Sequence, residues 1–413
     1  MHAVIGEAGL LALAWLLSES RWRVPWRVVG TGIGLQIILA LLLTRAPPAI
    51  ALIILIDRGA NALQTATEAG TGFVFGYLGG APLPFAETHP GASFILAFQA
   101  MPLVLTISAL ASLLFYWGVL QRVTAVFAFV LRRVMGIGGA LALGAAVHIF
   151  VGMIEAPLLV RPYLARMSRG EIFALMTCGM AGVAGTVMVI YAGFLAAIIP
   201  NALGNILIAS VVSTPAALAV AALMVPFRKS DPDSIRLTIA DPPASALEAL
   251  VRGTLDGIPI LAGILAVLVV AVASVALVNM VLGMLPDWGG VPVTLQRVFA
   301  LPFRPVMWLI GVPWAESATA ASLMATKTVL NEFVAYSTLS GMGPGALTPR
   351  TRIILTYALC GFANFGSLGI LIGGLGAMVP ERRGEIVALG LRSILSGTLA
   401  TCMSGALAGA LLG

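Results

Sequence analysis

The sequence predicts an all-α polytopic membrane protein with about eight transmembrane helices and two re-entrant hairpins in an inverted repeat. Composition is the first reason. Of 413 residues, 60% are hydrophobic and only 10% are charged, whereas about a quarter are charged in ordinary soluble domains. The second reason is that apolar stretches of the roughly 20 residues needed to cross a bilayer recur along the chain. The third is a pair of apolar regions that glycine or proline interrupts, each with a glutamate inside it.

Composition also limits the possible functions. The net charge of +6 is expected to reflect basic cytoplasmic loops, so nucleic-acid binding is not predicted. The cysteines, Cys178, Cys360 and Cys402, lie in apolar segments and are expected to be free thiols. The N-terminus lacks a basic leader and a small-residue cleavage signature, so the first span is expected to be retained.

Eight segments have the length and apolarity of transmembrane helices. They are residues 3–18, 25–45, 93–119, 171–196, 203–226, 257–283, 351–377 and 385–412. Two shorter amphipathic segments, Ile50–Thr65 and Leu120–Val134, are expected at the membrane interface. The most polar connection, Phe227–Asp256, is expected at the cytoplasmic surface.

Two further apolar regions, 137–165 and 304–340, are predicted to be re-entrant hairpins, with Glu155 and Glu316 at their tips. Arginines flank the first region on both sides, so the positive-inside rule places both of its ends in the cytoplasm. These are Arg132, Arg133, Arg161, Arg166 and Arg169. Counting spans onward, the second hairpin opens from the opposite side.

A faint internal repeat agrees with this arrangement. The segment Cys178–Gly185 (CGMAGVAG) matches Cys360–Ser367 (CGFANFGS), and GMIEAP in the first hairpin matches GVPWAES in the second. Inverted repeats place a substrate site near the middle of the membrane, between discontinuous helices. The alternative is that these glycines only allow close helix packing.

The chain is accordingly divided into five regions. They are scaffold and interfacial helices (1–135), the first hairpin with a broken helix and the following span (136–226), the cytoplasmic connection (227–256), a scaffold span (257–300), and the second hairpin with a broken helix and the last span (301–413).

One long motif, ATKTVLNEFVAY at Ala325–Tyr336, resembles the signature of the concentrative nucleoside transporters. The runs that begin EAPLLVRPYLARMSRGE and CGFANFGSLGI are similar to the same family. The resemblance implies an elevator-type transporter that works as a homotrimer and imports nucleosides with a sodium or proton gradient. It implies a static scaffold of early helices plus the 257–283 span. The two hairpins and the two broken helices would then form the moving body.

The resemblance assigns the ribose of the substrate to four residues. Glu316 matches the second-hairpin glutamate, whose carboxylate would accept strong hydrogen bonds from a vicinal diol. A salt bridge from Glu316 to Lys327 is the alternative. Asn364 and Ser367 match polar residues of the broken helix, and Phe362 matches the aromatic residue beside them. Back-bonding within the helix is the alternative for Ser367.

Within the signature, Asn331 and Glu332 are interpreted mainly as helix caps or ion-pair partners. Glu155 matches the first-hairpin glutamate that lines the pocket, and it would also suit the start of a helix. Before it stand Met153 and Ile154, where the family usually has Gln followed by Thr or Ser to read the nucleobase. The substitution of apolar side chains predicts looser, hydrophobic base recognition or a shifted base preference.

Four positions are candidates for the coupling ion. In sodium-coupled members an Asn and a Ser side chain help to bind the ion, and here His148 and Gly182 stand at those positions. Val151 and Val183 still offer carbonyl oxygens. No family-type sodium site is predicted, because imidazole is a poor sodium ligand and glycine has no side-chain oxygen. His148 is the proton candidate, since free imidazole titrates near neutral pH. The two hairpin glutamates are further candidates, and a neutral, buried histidine is the alternative.

The expected function is nucleoside import by proton symport in a bacterial inner membrane, with the coupling proton but no cofactor, metal or catalytic residue. Two alternatives remain: a sodium-coupled symporter with a rebuilt ion site, and a relative that carries another ribose-like or non-nucleoside solute. An intramembrane enzyme is disfavoured, because HExxH and aspartate-rich phosphate motifs do not occur in the sequence, and no Walker A motif suggests ATP-driven transport.

Overall fold

The computed structural model describes residues 2–87, 89, 92–227, 243–343 and 345–412, and within these ranges all regular structure is helical. The helices are α1 (His2–Leu16), α2 (Trp26–Arg45), α3 (Pro47–Phe75), α4 (Leu96–Gln99), α5 (Leu103–Tyr116), α6 (Val119–Met135), α7 (Gly139–His148), α8 (Glu155–Leu159), α9 (Arg161–Leu164), α10 (Arg169–Ala181), α11 (Gly185–Leu195), α12 (Ala202–Met224), α13 (Ala246–Leu282), α14 (Leu295–Leu309), α15 (Trp314–Val329), α16 (Glu332–Ser340), α17 (Pro349–Ala358), α18 (Phe365–Met378) and α19 (Arg383–Leu411).

The predicted fold class is confirmed, although several boundaries differ. Seven helical stretches in the described ranges are long and apolar enough to cross a membrane, judged by length and composition alone. They are Trp26–Arg45, Pro47–Gly79, Leu96–Tyr116, Arg169–Leu195, Ala202–Met224, Ala246–Leu282 and Pro380–Leu411. The first predicted span is the shorter helix α1, and the predicted 351–377 span is two helices, α17 and α18, separated by a break.

The predicted interfacial segment Ile50–Thr65 and the predicted connection Phe227–Asp256 both lie partly or wholly in longer helices than expected. The segment Ile50–Thr65 is only the middle of α3, which is 29 residues long in total. Part of the predicted connection Phe227–Asp256 is the start of α13, where the Ser245 hydroxyl accepts a hydrogen bond from the Glu248 amide at 3.1 Å. This N-cap begins the helix inside the polar sequence. Residues 228–242 of the connection lie outside the described residues.

The first hairpin has the predicted position. Helix α7 enters, residues 149–154 form the turn, and the short helix α8 returns against α7 and is followed by α9. The second hairpin is placed differently. A turn at 310–313, with Gly311 at φ +104°, separates the amphipathic helix α14 from α15. The hairpin itself consists of α15 and α16, and its tip is Leu330–Asn331.

Both predicted broken helices are present, and their breaks touch. Helix α10 stops at Gly182 and α11 starts at Gly185, while α17 and α18 are separated by residues 359–364. The Phe362 amide, in the second break, donates a hydrogen bond to the Gly182 carbonyl of the first at 3.2 Å. A methyl group at Gly361 would lie 2.7 Å from the Met180 carbonyl oxygen, so the approach requires glycine.

The first two helices pack on helices from later regions of the chain. Helix α2 packs along α12, and α1 packs on α19, so both contact the body that holds the breaks. Helix α5 packs instead along α13, where a methyl group at Gly253 would lie 2.6 Å from the Ser108 carbonyl. Helix α2 also packs on α3 and α6, so it joins the other helices of residues 1–135 to the body that holds the breaks.

A cluster of charged residues ties the loop after α1 to α10 and α19. The Glu19 carboxylate lies 2.9 Å from guanidinium nitrogens of both Arg169 and Arg392. The hydrogen bond from Arg169 holds the pKa of the Glu19 carboxyl below its usual range. Because these groups are partly exposed, their contribution is mainly to fix the relative position of the three segments.

Candidate functional site

A cavity of about 490 Å³ lies where the hairpin tips and the helix breaks face α5 and α13. Its lining from the hairpins and breaks includes Phe150, Val151, Met153, Ile154, Glu155, Asn331, Glu332, Phe362, Asn364 and Ser367. Most of the predicted substrate residues thus come together, although they are distributed over more than 200 positions of the sequence. A mostly apolar cavity with a few polar groups is the usual composition of a small-molecule site.

Glu332 is the central carboxylate of this cavity. It is the first residue of α16 and is 4% exposed. Its Oε1 accepts a hydrogen bond from the Tyr191 hydroxyl at 2.7 Å, and its Oε2 accepts one from Asn364 Nδ2 at 2.9 Å. A buried carboxylate needs such donors, because an isolated charge in an apolar environment is strongly destabilising. These two bonds fix the Glu332 carboxylate against the second break.

Two asparagines fix the backbone around Glu332. Asn331 caps α16, with its Oδ1 accepting from the Val334 amide at 3.0 Å, which is the capping role that the sequence predicts for it. Asn364 caps α18, with its Oδ1 accepting from the Ser367 amide at 2.7 Å. Asparagine at a helix N-cap satisfies an amide that has no partner within the helix. Each cap thereby restarts a helix beside the cavity.

Glu316 does not lie in this cavity, so its predicted position at the tip of the second hairpin is wrong. It is in the first turn of α15, at the end of the hairpin opposite Leu330–Asn331. Its Oε2 accepts hydrogen bonds from the Thr348 amide at 3.2 Å and the Thr348 hydroxyl at 3.1 Å. The alternative prediction, a salt bridge to Lys327, is also wrong, because the Lys327 amino group has other partners. The counterpart of Glu155 in the second hairpin is Glu332.

Glu155 and the two residues before it form the opposite side of the cavity. Glu155 is the first residue of α8, and its carboxylate lies against Gly152 in the hairpin turn. Both interpretations of Glu155, helix start and cavity lining, are therefore compatible with its position. Met153 is buried, and the end of the Ile154 side chain packs on Gly374 of α18. Apart from the Glu155 carboxylate, this side of the cavity is apolar.

The fully buried Lys327 supports the second break. Its Nζ donates to the Ala358 carbonyl at 2.8 Å and to the Thr401 hydroxyl at 3.2 Å. Ala358 is the last residue of α17, and carbonyls at a helix end have no partner within the helix. Lys327 therefore stabilises the free carbonyl end of α17, and the chain becomes helical again only at Phe365, where α18 begins.

Three of the four predicted ion-coupling positions, His148, Gly182 and Val183, lie behind the cavity. His148 ends α7 and is buried, and its Nε2 has no hydrogen bond of ordinary geometry within the described residues. A methyl group at Gly179 would lie 3.6 Å from this nitrogen, and one at Gly182 would lie 4.0 Å from His148 Cε1. The imidazole therefore fills the space beside the first break. Val183 is buried within the break, and Val151 lines the cavity.

Sequence reasoning missed several cavity residues. Tyr191, which holds Glu332, lies on α11 and packs against Tyr336 with ring centroids 5.2 Å apart. Ser108 on α5 and Asp256 on α13 contribute polar groups from the opposite wall. A tyrosine in an apolar helix carries no local signal of its partner, because that partner is 141 residues away in the sequence.

The helical fold, the paired hairpins and the central cavity define a membrane transporter with discontinuous helices. Three family models match the chain: Na+ dependent nucleoside transporter N-terminus at residues 5–78, Nucleoside recognition at 97–198, and Na+ dependent nucleoside transporter C-terminus at 205–409. The chain therefore belongs to the concentrative nucleoside transporter family, whose members take up nucleosides together with a cation.

Individual relatives cover the whole chain. The putative nucleoside permease NupX of Escherichia coli is 33% identical over 100% of this chain and 99% of its own length. Sodium/nucleoside cotransporter 1 of Mus musculus is 33% identical over 98% of this chain and 63% of its own length. The structure of CNTnw in an inward-facing substrate-bound state has a TM-score of 0.89 at 34% identity, with 100% and 99% of the two chains covered.

A substituted form of CNTnw in an outward-facing state also matches, with a TM-score of 0.87. The match to structures in different states supports the elevator-type fold. The protein is a multi-pass membrane protein and a transporter rather than an enzyme, and it is placed like its bacterial relatives in the inner membrane.

The role of Lys327 leads to a prediction about stability. Lys327→Met removes the donor to the Ala358 carbonyl, and an unsatisfied buried acceptor costs about 1–3 kcal/mol of folding free energy. Thr401→Val removes only the longer of the two bonds and is expected to have the smaller effect. Thermal unfolding of the purified variants in detergent measures both. Equal losses in the two variants would contradict a special role for the Ala358 bond.

Proposed function

We propose that this protein imports nucleosides by proton symport and works as a homotrimer. The observation that carries the proposal is the pairing of a mostly apolar cavity, with a few polar groups at the helix breaks, with a buried histidine directly behind it. Glu332 and Asn364 provide the polar groups of the cavity. His148 Nε2, which has no hydrogen bond of ordinary geometry among the described residues, lies beside the first break.

Glu332, rather than Glu316, is proposed to hold the ribose. An ionised carboxylate accepts strong hydrogen bonds from a vicinal diol. Asn364 and Ser367 lie at the start of α18 beside it, and both side chains can donate and accept. Phe362 lines the same part of the cavity and offers an aromatic face. Glu155 faces the cavity from the first hairpin as a second carboxylate.

The base is proposed to lie against the apolar side that Met153 and Ile154 form. An apolar wall stabilises a bound base through the apolar area that the base buries, but it forms no hydrogen bonds. It therefore discriminates weakly between bases of similar size. Purine and pyrimidine nucleosides are therefore both expected to be substrates. Selection for larger or less polar bases follows from the same argument, because they bury more apolar surface.

A binding assay tests both parts of this assignment. Glu332→Gln is expected to weaken nucleoside binding by roughly tenfold or more, because it replaces the charged acceptor of the diol. Glu316→Gln makes the same exchange outside the cavity and is expected to bind like the wild type. In the wild type, purine and pyrimidine nucleosides are expected to compete with affinities within about tenfold of one another. Displacement of a labelled nucleoside from purified protein provides the measurement.

Two results would count against the assignment. Loss of binding in Glu316→Gln but not in Glu332→Gln would return the ribose to the residue that the sequence motif indicates. Strict selectivity for pyrimidines would refute weak discrimination by the apolar side of the cavity.

Proton coupling is supported by what surrounds the first break. The carbonyl of Gly182 is already bonded to the Phe362 amide, and residue 182 has no side-chain oxygen. His148 occupies space next to Gly179 and Gly182 where a sodium ion would need several oxygen ligands. The imidazole is therefore proposed to bind and release the coupled proton as the body moves.

Uptake into proteoliposomes tests the coupling ion. An inward proton gradient is expected to drive labelled uridine and adenosine uptake, and a sodium gradient is not. His148→Ala is expected to lose the proton response, whereas His89→Ala, which changes an exposed histidine, is expected to keep it. His148→Asn combined with Gly182→Ser restores the family's side chains and is expected to introduce a sodium response.

The other outcomes separate the alternatives. Sodium-driven uptake by the wild type would indicate a rebuilt ion site. A side-chain oxygen close to such a site is the Ser210 hydroxyl, which lies 3.9 Å from a methyl position at Gly182. An absence of nucleoside uptake under either gradient would favour a different ribose-like or non-nucleoside solute.

The proposed contact surface of the homotrimer is the exposed apolar face of α13. Residues such as Val269, Val270 and Met280 are more than 60% exposed in the single chain. Such a face is covered either by lipid or by another copy of the chain. Native mass spectrometry of the detergent-solubilised protein counts the chains directly. A particle of three chains is expected, and a stable monomer would contradict the proposal.

A further inference from the structure

A carboxyl–amide pair joins α1 to α2 away from the cavity. Glu7 is 8% exposed and Gln36 is fully buried. Gln36 Nε2 donates a hydrogen bond to Glu7 Oε1 at 3.4 Å. Neither residue lines the substrate cavity. Glu7 is therefore a buried titratable group that the proposed transport mechanism does not use.

The other two oxygens of this pair have no partner among the described residues. Glu7 Oε2 and Gln36 Oε1 are both buried, and neither accepts a hydrogen bond there. If Glu7 were ionised, both atoms would be acceptors facing an apolar environment without a donor. Buried carboxylates are normally paired with cations or several donors, because an unpaired charge is strongly destabilising.

The helices that pack on α1 supply no cation to this pair. They are α12, α14 and α19, and α2 carries the glutamine itself. The charged residues of these four helices are Arg27, Arg45, Arg297, Arg304, Arg383, Glu385 and Arg392, and α12 has none. On α2 the two arginines are nine positions from Gln36 in either direction, which is about 13 Å along a helix. The side chain of His2, the other titratable residue of α1, lies outside the described residues.

The arginines of α14 have other hydrogen-bond partners, and those of α19 lie far from Glu7. Arg297 donates to backbone carbonyls before α14, and Arg304 bonds to the Ser317 hydroxyl. Helix α19 meets α1 at Ala406, next to Gly6. The last charged residue of α19, Arg392, is about 20 Å from that contact along the helix. Cys402, one turn before Ala406, is a thiol and carries no charge at neutral pH.

Two more helices, α3 and α6, pack on α2. Most of their charged side chains are exposed, namely Arg58, Glu68, Arg122 and Arg133. The half-buried Asp57 accepts a hydrogen bond from the Leu203 amide at 3.2 Å. Arg132 is in the last turn of α6. In that turn the Met135 side chain makes the contact with Gly32 of α2. No cation from these helices is a hydrogen-bond or salt-bridge partner of Glu7 within the described ranges.

We propose that Glu7 binds a proton and keeps it in the folded protein. The proton sits on Oε2, and the resulting hydroxyl donates to Gln36 Oε1. Gln36 Nε2 already donates to Glu7 Oε1, so the acid and the amide form a ring of two reciprocal hydrogen bonds. A single proton thus satisfies both unpartnered oxygens and removes the buried charge. This proton site is separate from His148 and does not depend on the proposed function.

A metal cation explains the pair less well. Hard cations such as calcium take about six or more oxygen ligands. This site offers one carboxylate and one amide, and no group of three potential metal-ligating side chains occurs in the described ranges. The proton needs only the two oxygens that are present.

The infrared spectrum of the folded protein tests the proton directly. A carboxylic acid has a carbonyl stretch that a carboxylate lacks. The wild type at neutral pH is expected to show this band, and Glu7→Gln is expected to lose it. Glu7→Gln can still form two reciprocal bonds with Gln36, so it is expected to fold and to transport normally. A spectrum that is unchanged by Glu7→Gln would overturn the proposal.

The pH dependence of unfolding provides a second test. In water a glutamate ionises above about pH 4, so unfolding would release the proton from Glu7. Stability then falls as pH rises, and the unfolding constant increases about tenfold for each pH unit. Between about pH 5 and pH 7 this constant is expected to rise about 100-fold more in the wild type than in Glu7→Gln.

An exposed pair of the same chemistry provides the control. Gln64 Nε2 donates to Glu68 Oε1 at 3.0 Å on α3, where Glu68 is exposed. Glu68→Gln is expected to leave both the acid band and the pH profile of unfolding unchanged. The proposal fails if wild type and Glu7→Gln have the same pH profile in mixed detergent micelles.

Discussion

The hydrogen bond from the Phe362 amide to the Gly182 carbonyl is the interaction on which the centre of the molecule depends. In a membrane an unpaired backbone amide or carbonyl is costly, so helices are broken only where other protein groups replace the lost bonds. Here the bond between the two breaks replaces some of the backbone hydrogen bonds that each helix loses. Lys327 and the caps Asn331 and Asn364 replace others. Polar backbone is thereby exposed to a cavity inside an otherwise apolar body.

Each hairpin places a carboxylate at the cavity, and in both hairpins this carboxylate lies at the start of a helix. Glu155 and Glu332 are each the first residue of a returning arm, α8 and α16. A helix N-terminus favours negative charge, because its amides point outward without partners. The two carboxylates differ in their surroundings. Glu332 is fixed by Tyr191 and Asn364, whereas Glu155 is exposed to the cavity beside Gly152.

The departures from the family pattern are concentrated on one hairpin. Met153, Ile154 and His148 all lie on or next to the first turn, and Gly182 lies in the break behind it. The second hairpin and its break retain the polar residues of the signature. Since the frame of caps and backbone bonds is built mostly from the second half, the first hairpin can change its side chains without losing the fold. The proposed base contacts and the proposed proton site both lie at this first hairpin and the break behind it.

Hydrophobic length and glycine placement in the sequence predicted the membrane fold and its discontinuous helices, because these signals act locally. Most of the cavity residues were indicated by the resemblance of the sequence motifs to a known family. The sequence did not determine the tip of the second hairpin. Glycine and proline at 311–313 are stronger local turn signals than Asn331, yet packing places the tip at Leu330–Asn331. Because the tip lies at Leu330–Asn331, Glu332 lies in the cavity and Glu316 does not. Only the tertiary structure decided which carboxylate meets Tyr191 and Asn364, because hydrogen bonds across 141 and 32 residues depend on how the helices pack.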